Sequence, residues 1–133
     1  MLTTLPAEIL PEEIVVRYIL TSSEYSKVKL RVKYRAFEPS PTNKFTSVFR
    51  VSGLKENEIW EQGRKFVAIP RNRTLYARAD ISVSNIRAQG LGIFPAEPPP
   101  RYANIVNWPD EKHAIMALAQ KLAADAALEI SSD

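Results

Sequence analysis

The run Lys27-Val28-Lys29-Leu30-Arg31-Val32-Lys33-Tyr34-Arg35 alternates a basic residue with an apolar one at every step. Side chains of a β-strand alternate between two faces with a period of two residues. The run therefore predicts a strand over residues 27–37, with its apolar residues facing a core and its cations facing outward. The cations would then stand about 6.5–7 Å apart along the strand.

The five cations of this run are candidate binding residues: Lys27, Lys29, Arg31, Lys33 and Arg35. A row of charges at this spacing suits an acidic protein or another anionic partner, including the phosphate backbone of a nucleic acid. It also suits a solvated sheet face, on which lysines discourage edge-to-edge aggregation. Because Tyr34 would face away from the cations, the strand does not resemble a base-stacking platform.

The rest of the chain predicts an α+β fold, with a mainly antiparallel sheet packed against short helices and one long C-terminal helix. Further strands are predicted near residues 14–20, 45–51 and 102–108, and short helices near 55–62 and 82–89. Apolar residues at helical spacing predict the long helix over residues 110–128. A length of 133 residues fits a single domain over residues 1–133, which begins with an irregular arm at 1–12.

Composition excludes several classes of chemistry. The chain has no cysteine, one histidine and four scattered glycines, which excludes disulfides, thiolate metal sites, a thiol nucleophile and a glycine-rich phosphate loop. We therefore expect no metal and no cofactor. The N-terminus lacks the pattern of a signal peptide and no run is long enough to span a membrane, so we expect a cytoplasmic protein without a membrane partner.

The net charge of +3 conceals strong segregation along the sequence. Residues 25–54 hold seven cations and one acid, and Asp80 is the one acid in residues 64–96. An acid surrounded by cations indicates either an internal salt bridge, for example with Arg78, or an organised site. The second interpretation predicts a cleft formed by Arg78, Asp80, Tyr102 and Trp108.

Several short phrases resemble a family of small bacterial proteins that has no assigned activity. The phrases are Ser47-Val48-Phe49-Arg50, Glu58-Ile59-Trp60 followed by Gly63, Ala77-Arg78-Ala79-Asp80-Ile81, and Tyr102-Ala103-Asn104-Ile105-Val106-Asn107-Trp108-Pro109 before an Ala/Leu-rich helix. The resemblance covers about residues 30–128. It implies a compact bacterial domain and transfers no catalytic residue. The family has His-Ala where this chain has Tyr102-Ala103, so any role of that histidine would be absent here.

Three functional hypotheses follow. The first, which we favour, is a non-enzymatic binding module that uses the basic face for an acidic protein or other anionic partner, with a nucleic acid as the alternative. The second is an enzyme of unrecognised type, with its cleft near Asp80, Tyr102 and Trp108. The third is an assembly protein, a homo-oligomer in which residues 14–20 pair between protomers.

Overall fold

A six-stranded antiparallel sheet forms the centre of the computed structural model, which describes residues 5–132. The strands are β1 Ile14–Ile19, β2 Tyr25–Ser26, β3 Arg31–Val32, β4 Thr46–Arg50, β5 Ala77–Ser82, β6 Gly92–Pro95, β7 Tyr102–Val106 and β8 Ala127–Ile130. The helices are α1 Glu56–Gly63, which a π-helical segment Arg64–Ala68 continues, α2 Val83–Ala88 and α3 Lys112–Asp125. The large sheet has the order β6-β7-β4-β1-β5-β8, and β2 pairs with β3 in a separate hairpin. The predicted α+β fold is confirmed.

The sheet is covered on both faces, so two hydrophobic clusters form. The first cluster joins inward residues of the sheet, such as Val15, Val48 and Ala79, to Leu122 of α3 and Ile86 of α2. The second lies on the opposite face beneath α1 and the π-helical segment; its buried members are Val16, Tyr18, Leu20, Phe49, Val51, Ile59, Ala68 and Leu75. The alternation of neighbouring residues between the clusters is the period-two pattern of a strand.

Strand β1 is an interior strand, which overturns the hypothesis that it pairs between protomers. It pairs antiparallel with β5 over six residues and with β4 at Val15 and Val16. One edge of β1 is therefore occupied along its whole length and the other at Val15 and Val16, so β1 lies inside the sheet and not at an edge that could recruit a second copy.

The predicted strand over residues 27–37 is wrong. Residues 27–30 form the loop of the β2–β3 hairpin, and Tyr34–Ala36 is a short 3₁₀ turn. Val28 is 95% exposed and Leu30 is 68% exposed, whereas Val32 is buried at 5%. Leu30 has φ +52°, in the left-handed region that a strand does not contain. The basic residues of the run 27–35 therefore lie on a hairpin and on the turn that follows it, and they do not form one face of a long strand.

The predicted C-terminal helix over residues 110–128 is too long at both ends. Helix α3 begins at Lys112, where the Glu111 side chain accepts the Ala114 N–H at 2.9 Å, and it ends at Asp125. Residues 127–130 instead form β8, which pairs with the edge of β5. Unpaired N–H and C=O groups along that edge favour an added strand, and this outweighs the helix propensity of the alanines.

The segment before β1 is held by a buried ion pair. The Arg50 guanidinium donates to both carboxylate oxygens of Glu13 at 2.8 Å, and both side chains are buried. It also donates to the carbonyl of Pro6 at 2.7 Å, and Ile9 is buried in the first cluster. The described part of the predicted irregular arm is thus attached to the fold at Pro6 and Ile9, whereas most of its other residues are exposed; residues 1–4 of that arm lie outside the described residues.

The corrected hairpin predicts unequal effects of two apolar truncations. Val32→Ala removes buried methyl groups and should lower the free energy of unfolding by about 1.5–3 kcal/mol. Leu30→Ala changes an exposed side chain and should alter it by less than about 0.5 kcal/mol. Urea denaturation followed by circular dichroism measures both. Equal and large losses would restore Leu30 to the core and contradict the hairpin.

The Glu13–Arg50 pair predicts acid sensitivity. Burial opposes ionisation of Glu13, but hydrogen bonds from Arg50 and Leu10 bring its pKa below its ordinary value. The pair therefore stabilises the fold above the ordinary pKa of Glu, and this contribution is lost as pH falls through the lower folded-state pKa. Glu13→Gln leaves a buried cation and should cost about 3–5 kcal/mol at neutral pH.

Urea denaturation at a series of pH values below 7 tests this expectation. The difference in stability between the wild-type protein and Glu13→Gln should shrink as the pH falls. A difference that stays constant down to the acid unfolding transition would show that ionised Glu13 does not stabilise the fold.

Candidate functional site

The five basic residues predicted as binding residues are all exposed. Lys27 and Lys29 lie on the hairpin loop, Arg31 lies on β3, and Lys33 and Arg35 lie at the 3₁₀ turn that follows. None of the five forms a salt bridge with any residue between Leu5 and Ser132. The charge of this surface is therefore not neutralised within the described part of the chain.

Three of these cations line a groove between the hairpin and the C-terminal helix, which we call the basic groove. It has a volume of about 820 Å³ and is open to solvent. One wall carries Arg31, Lys33 and Arg35, and the facing wall is the last part of α3 and the residue after it, with small side chains at Ala123, Ala124 and Ala126. Small residues on that wall leave room for the side chains of a partner.

Apolar side chains lie beside the cations on the same surface. Val28 and Leu30 are exposed on the hairpin loop between Lys27, Lys29 and Arg31, and Leu30 also lines the basic groove. Tyr34 lines the groove as well, so it shares a surface with the cations, contrary to the prediction. Its ring packs partly buried against the first cluster, which leaves less of it available for stacking on a base.

Arg78 and Asp80 form a charged cluster beneath α1, which we call the Arg78 cluster. The Arg78 side chain is 3% exposed and donates to Asp80 at 3.0 Å and to Glu56 at 2.8 and 3.0 Å. Its guanidinium also lies 4.7 Å from the ring centre of Trp60. Each charged hydrogen-bond donor thus has a nearby acceptor, which is the arrangement of a structural ion pair.

The pKa shifts in this cluster follow from the same contacts. Burial acts to lower the pKa of Arg78, but the hydrogen bonds to Glu56 and Asp80 raise it above its ordinary value. The hydrogen bond from Arg78 lowers the pKa of Glu56, whereas burial raises the pKa of Asp80 despite the same partner. The raised pKa of Asp80 is therefore explained by burial without invoking a catalytic role.

Tyr102 lies on the same face of the sheet as Arg78 but three strands away, on β7. Its hydroxyl is hydrogen-bonded to Ser47, and its ring centre lies 5.3 Å from that of Phe49. These residues line a separate cleft of about 250 Å³, which Arg17 and Arg71 also line. At a strand spacing of about 4.8 Å, β7 and β5 stand roughly 14 Å apart.

Trp108 lies on the opposite face of the sheet, packed against the first cluster, and its ring nitrogen donates to the carbonyl of Ile105. There it lines a groove of about 550 Å³ with Pro39, Pro41 and Met116. The structure therefore brings Arg78 and Asp80 together but places Tyr102 and Trp108 elsewhere. The single cleft of the enzyme hypothesis is not formed by these four residues.

Sequence reasoning missed Arg17, which lines the cleft beside Tyr102. A signal was present, because Arg17 interrupts an interior strand whose other residues from Val15 to Ile19 are all buried. A cation at an inward-facing strand position is costly without partners and therefore informative.

The described part of the chain contains neither a metal-binding cluster nor a membrane-spanning helix. Over residues 5–132, no three or more histidine, aspartate or glutamate side chains gather in a way that could hold a metal ion. In the same range, no helix has both the length and the apolar character needed to cross a membrane.

Comparisons with known proteins give no relative from which a function could be transferred. No family model matches the chain, and neither a curated protein nor a solved structure matches it. Function is therefore inferred from the residues and geometry of this chain.

The Arg78 cluster predicts a structural role that stability measurements can separate from a functional one. Arg78→Gln leaves partly buried Asp80 without its counterion and should cost about 2–4 kcal/mol. Glu56→Gln changes an exposed partner and should cost less than about 1 kcal/mol. Guanidinium denaturation measures both. A fully stable Arg78→Gln protein would indicate that this cluster is maintained for something other than folding.

Proposed function

We propose that the protein is a non-enzymatic binding module whose basic groove receives an acidic segment of a partner protein. The observation that carries this proposal is the set of three groove cations, Arg31, Lys33 and Arg35, which form no salt bridge with residues 5–132. By contrast, the buried cations Arg50 and Arg78 each have carboxylate partners within the fold.

Charge complementarity determines the class of partner. Unpaired cations that line a concave surface attract a chain of opposite charge and raise its association rate. Two of the cations, Arg31 and Arg35, carry guanidinium groups that can hold a carboxylate through two parallel hydrogen bonds. The open groove lets a carboxylate approach these groups while part of its hydration is retained.

The apolar residues favour a protein partner over a nucleic acid. Exposed Val28 and groove-lining Leu30 offer apolar surface beside the charges, which suits a segment in which acidic and apolar side chains are interspersed. Phosphate contacts would use the cations but leave this apolar surface uncovered. A nucleic acid is therefore the alternative outcome of the experiment below.

Fluorescence anisotropy with labelled probes tests the proposal. The probes are an acidic peptide that contains Leu and Phe, a poly-Glu peptide of the same charge, and mixed-sequence single- and double-stranded DNA and RNA. We expect the apolar-containing peptide to bind at near-physiological salt, with poly-Glu about 10-fold weaker because it covers no apolar surface. Lys33/Arg35→Gln should weaken binding of that peptide by about 10-fold or more.

A charge-matched variant provides the control. Lys55/Lys112→Gln removes two exposed cations outside the groove, and it should change the affinity by less than about 3-fold. Tighter binding of DNA or RNA than of either peptide, lost in Lys33/Arg35→Gln, would replace the acidic segment with a nucleic acid. No binding of any probe even at low salt would overturn a binding role for this surface.

A further inference from the structure

The cleft beside Tyr102 combines a charged edge with an aromatic floor. It lies on the face of the sheet that carries α1, and its volume of about 250 Å³ suits a small molecule rather than a polypeptide. Its lining includes Arg17, Arg71, Ser47, Tyr102 and Phe66. None of these residues lines the basic groove, so the cleft is a separate site.

Arg17 is one of the two cations that line the cleft. Its Nε donates to the Ala36 carbonyl at 2.8 Å and one Nη donates to the Ser47 carbonyl at 3.0 Å, which fixes the plane of the guanidinium. These bonds use two of its five N–H donors. Arg17 forms no salt bridge with a carboxylate among residues 5–132, although it is only partly exposed.

A second arginine lines the same cleft. This residue, Arg71, lies in the turn after the π-helical segment and is exposed. Burial lowers the pKa of Arg17, and the charge of Arg71 lowers it further. The charge of Glu24, which lies beyond salt-bridge distance, acts to raise it. An anion between the two arginines would relieve the repulsion between their charges.

Hydroxyl groups add neutral hydrogen-bonding capacity at the same edge. Ser47 and Tyr102 are hydrogen-bonded to each other through their side-chain oxygens, and both line the cleft. A hydroxyl pair of this kind uses one O–H between its members and leaves the other O–H to donate a hydrogen bond outward, whichever oxygen accepts internally. The polar edge therefore offers cationic and neutral donors but no carboxylate.

Aromatic rings form the floor. The Phe49 ring lies 6.4 Å from the Phe66 ring in a stacked arrangement and 5.3 Å from the tilted Tyr102 ring. Tyr18 lies 5.8 Å from Phe49, and Pro99 closes a further part of the wall. Phe49 and Tyr18 are each only 4% exposed, so an added ring would meet the partly buried rings of Phe66 and Tyr102, with stacked or edge-to-face contacts.

We propose that this cleft binds a small aromatic anion, whose ring packs on Phe66 and Tyr102 while its carboxylate or phosphate group is held by Arg17 and Arg71. The arginines supply charge-assisted hydrogen bonds, and Ser47 and Tyr102 supply neutral ones. This site is independent of the basic groove and of its protein partner.

Nuclear magnetic resonance titration of the ¹⁵N-labelled protein tests the site directly. The probes are benzoate, phenyl phosphate, the neutral analogue benzamide, and acetate, which has the charge without the ring. We expect saturable shifts of the Arg17 Nε–H signal and of the Ser47 and Tyr102 amides with benzoate or phenyl phosphate. Benzamide and acetate should each bind about 10-fold more weakly or worse.

Two arginine variants separate the site from a general effect of charge. Arg71→Gln changes an exposed residue, so the protein should fold, and we expect its affinity for the anionic probe to fall by about 10-fold. Arg73→Gln removes the same charge two residues away, outside the cleft lining, and should alter the affinity by less than about 3-fold. The stronger of benzoate and phenyl phosphate identifies the anionic group.

Three results would overturn the proposal. One is the absence of a saturable shift with either aromatic anion up to about 20 mM, which is weaker than any useful site. Another is equal affinity for benzoate and benzamide, since the arginines would then contribute nothing. The third is an affinity in Arg71→Gln equal to that of the wild-type protein.

Discussion

The Arg17 side chain bridges the gap between the central strands β1 and β4. Both proposed sites depend on the position of this bridge. Strands β1 and β4 pair only at Val15 and Val16, and beyond this point the Arg17 side chain takes the place of ladder hydrogen bonds. Its guanidinium donates to the Ser47 carbonyl of β4 and to the Ala36 carbonyl of the 3₁₀ turn. The separated strands leave room for the cleft on one face, and the anchored turn positions Lys33 and Arg35 on the other.

Three of the partly or fully buried arginines, Arg50, Arg78 and Arg17, show three ways to place a guanidinium inside a small protein. Arg50 has one buried carboxylate and carbonyl groups of the segment before β1, and Arg78 has two carboxylates and an aromatic ring. Arg17 has carbonyl groups alone, with a second cation nearby. Carbonyl groups satisfy hydrogen-bond donors without neutralising charge, so within residues 5–132 the charge of Arg17 is offset at a distance, by Glu24.

The two proposed sites belong to different levels of organisation. The basic groove is formed by a local hairpin and the end of α3, and its charges follow one another in the sequence. The cleft draws Arg17, Ser47, Phe66, Arg71 and Tyr102 from five separate segments. A contiguous charged run can be recognised by inspection, whereas a site assembled from distant segments depends on strand order, which no local pattern reveals.

The sequence by itself determined the α+β class, the approximate positions of most strands and helices, and the basic character of residues 27–35. These properties follow from local periodicity and charge, which need no knowledge of distant contacts. Tertiary structure decided that Lys27–Leu30 forms a hairpin loop, because alternation specifies a strand only where one of its faces is buried against the fold. It also decided that residues 127–130 leave the helix to pair with β5, since an unpaired sheet edge stabilises an extended segment over its intrinsic preference.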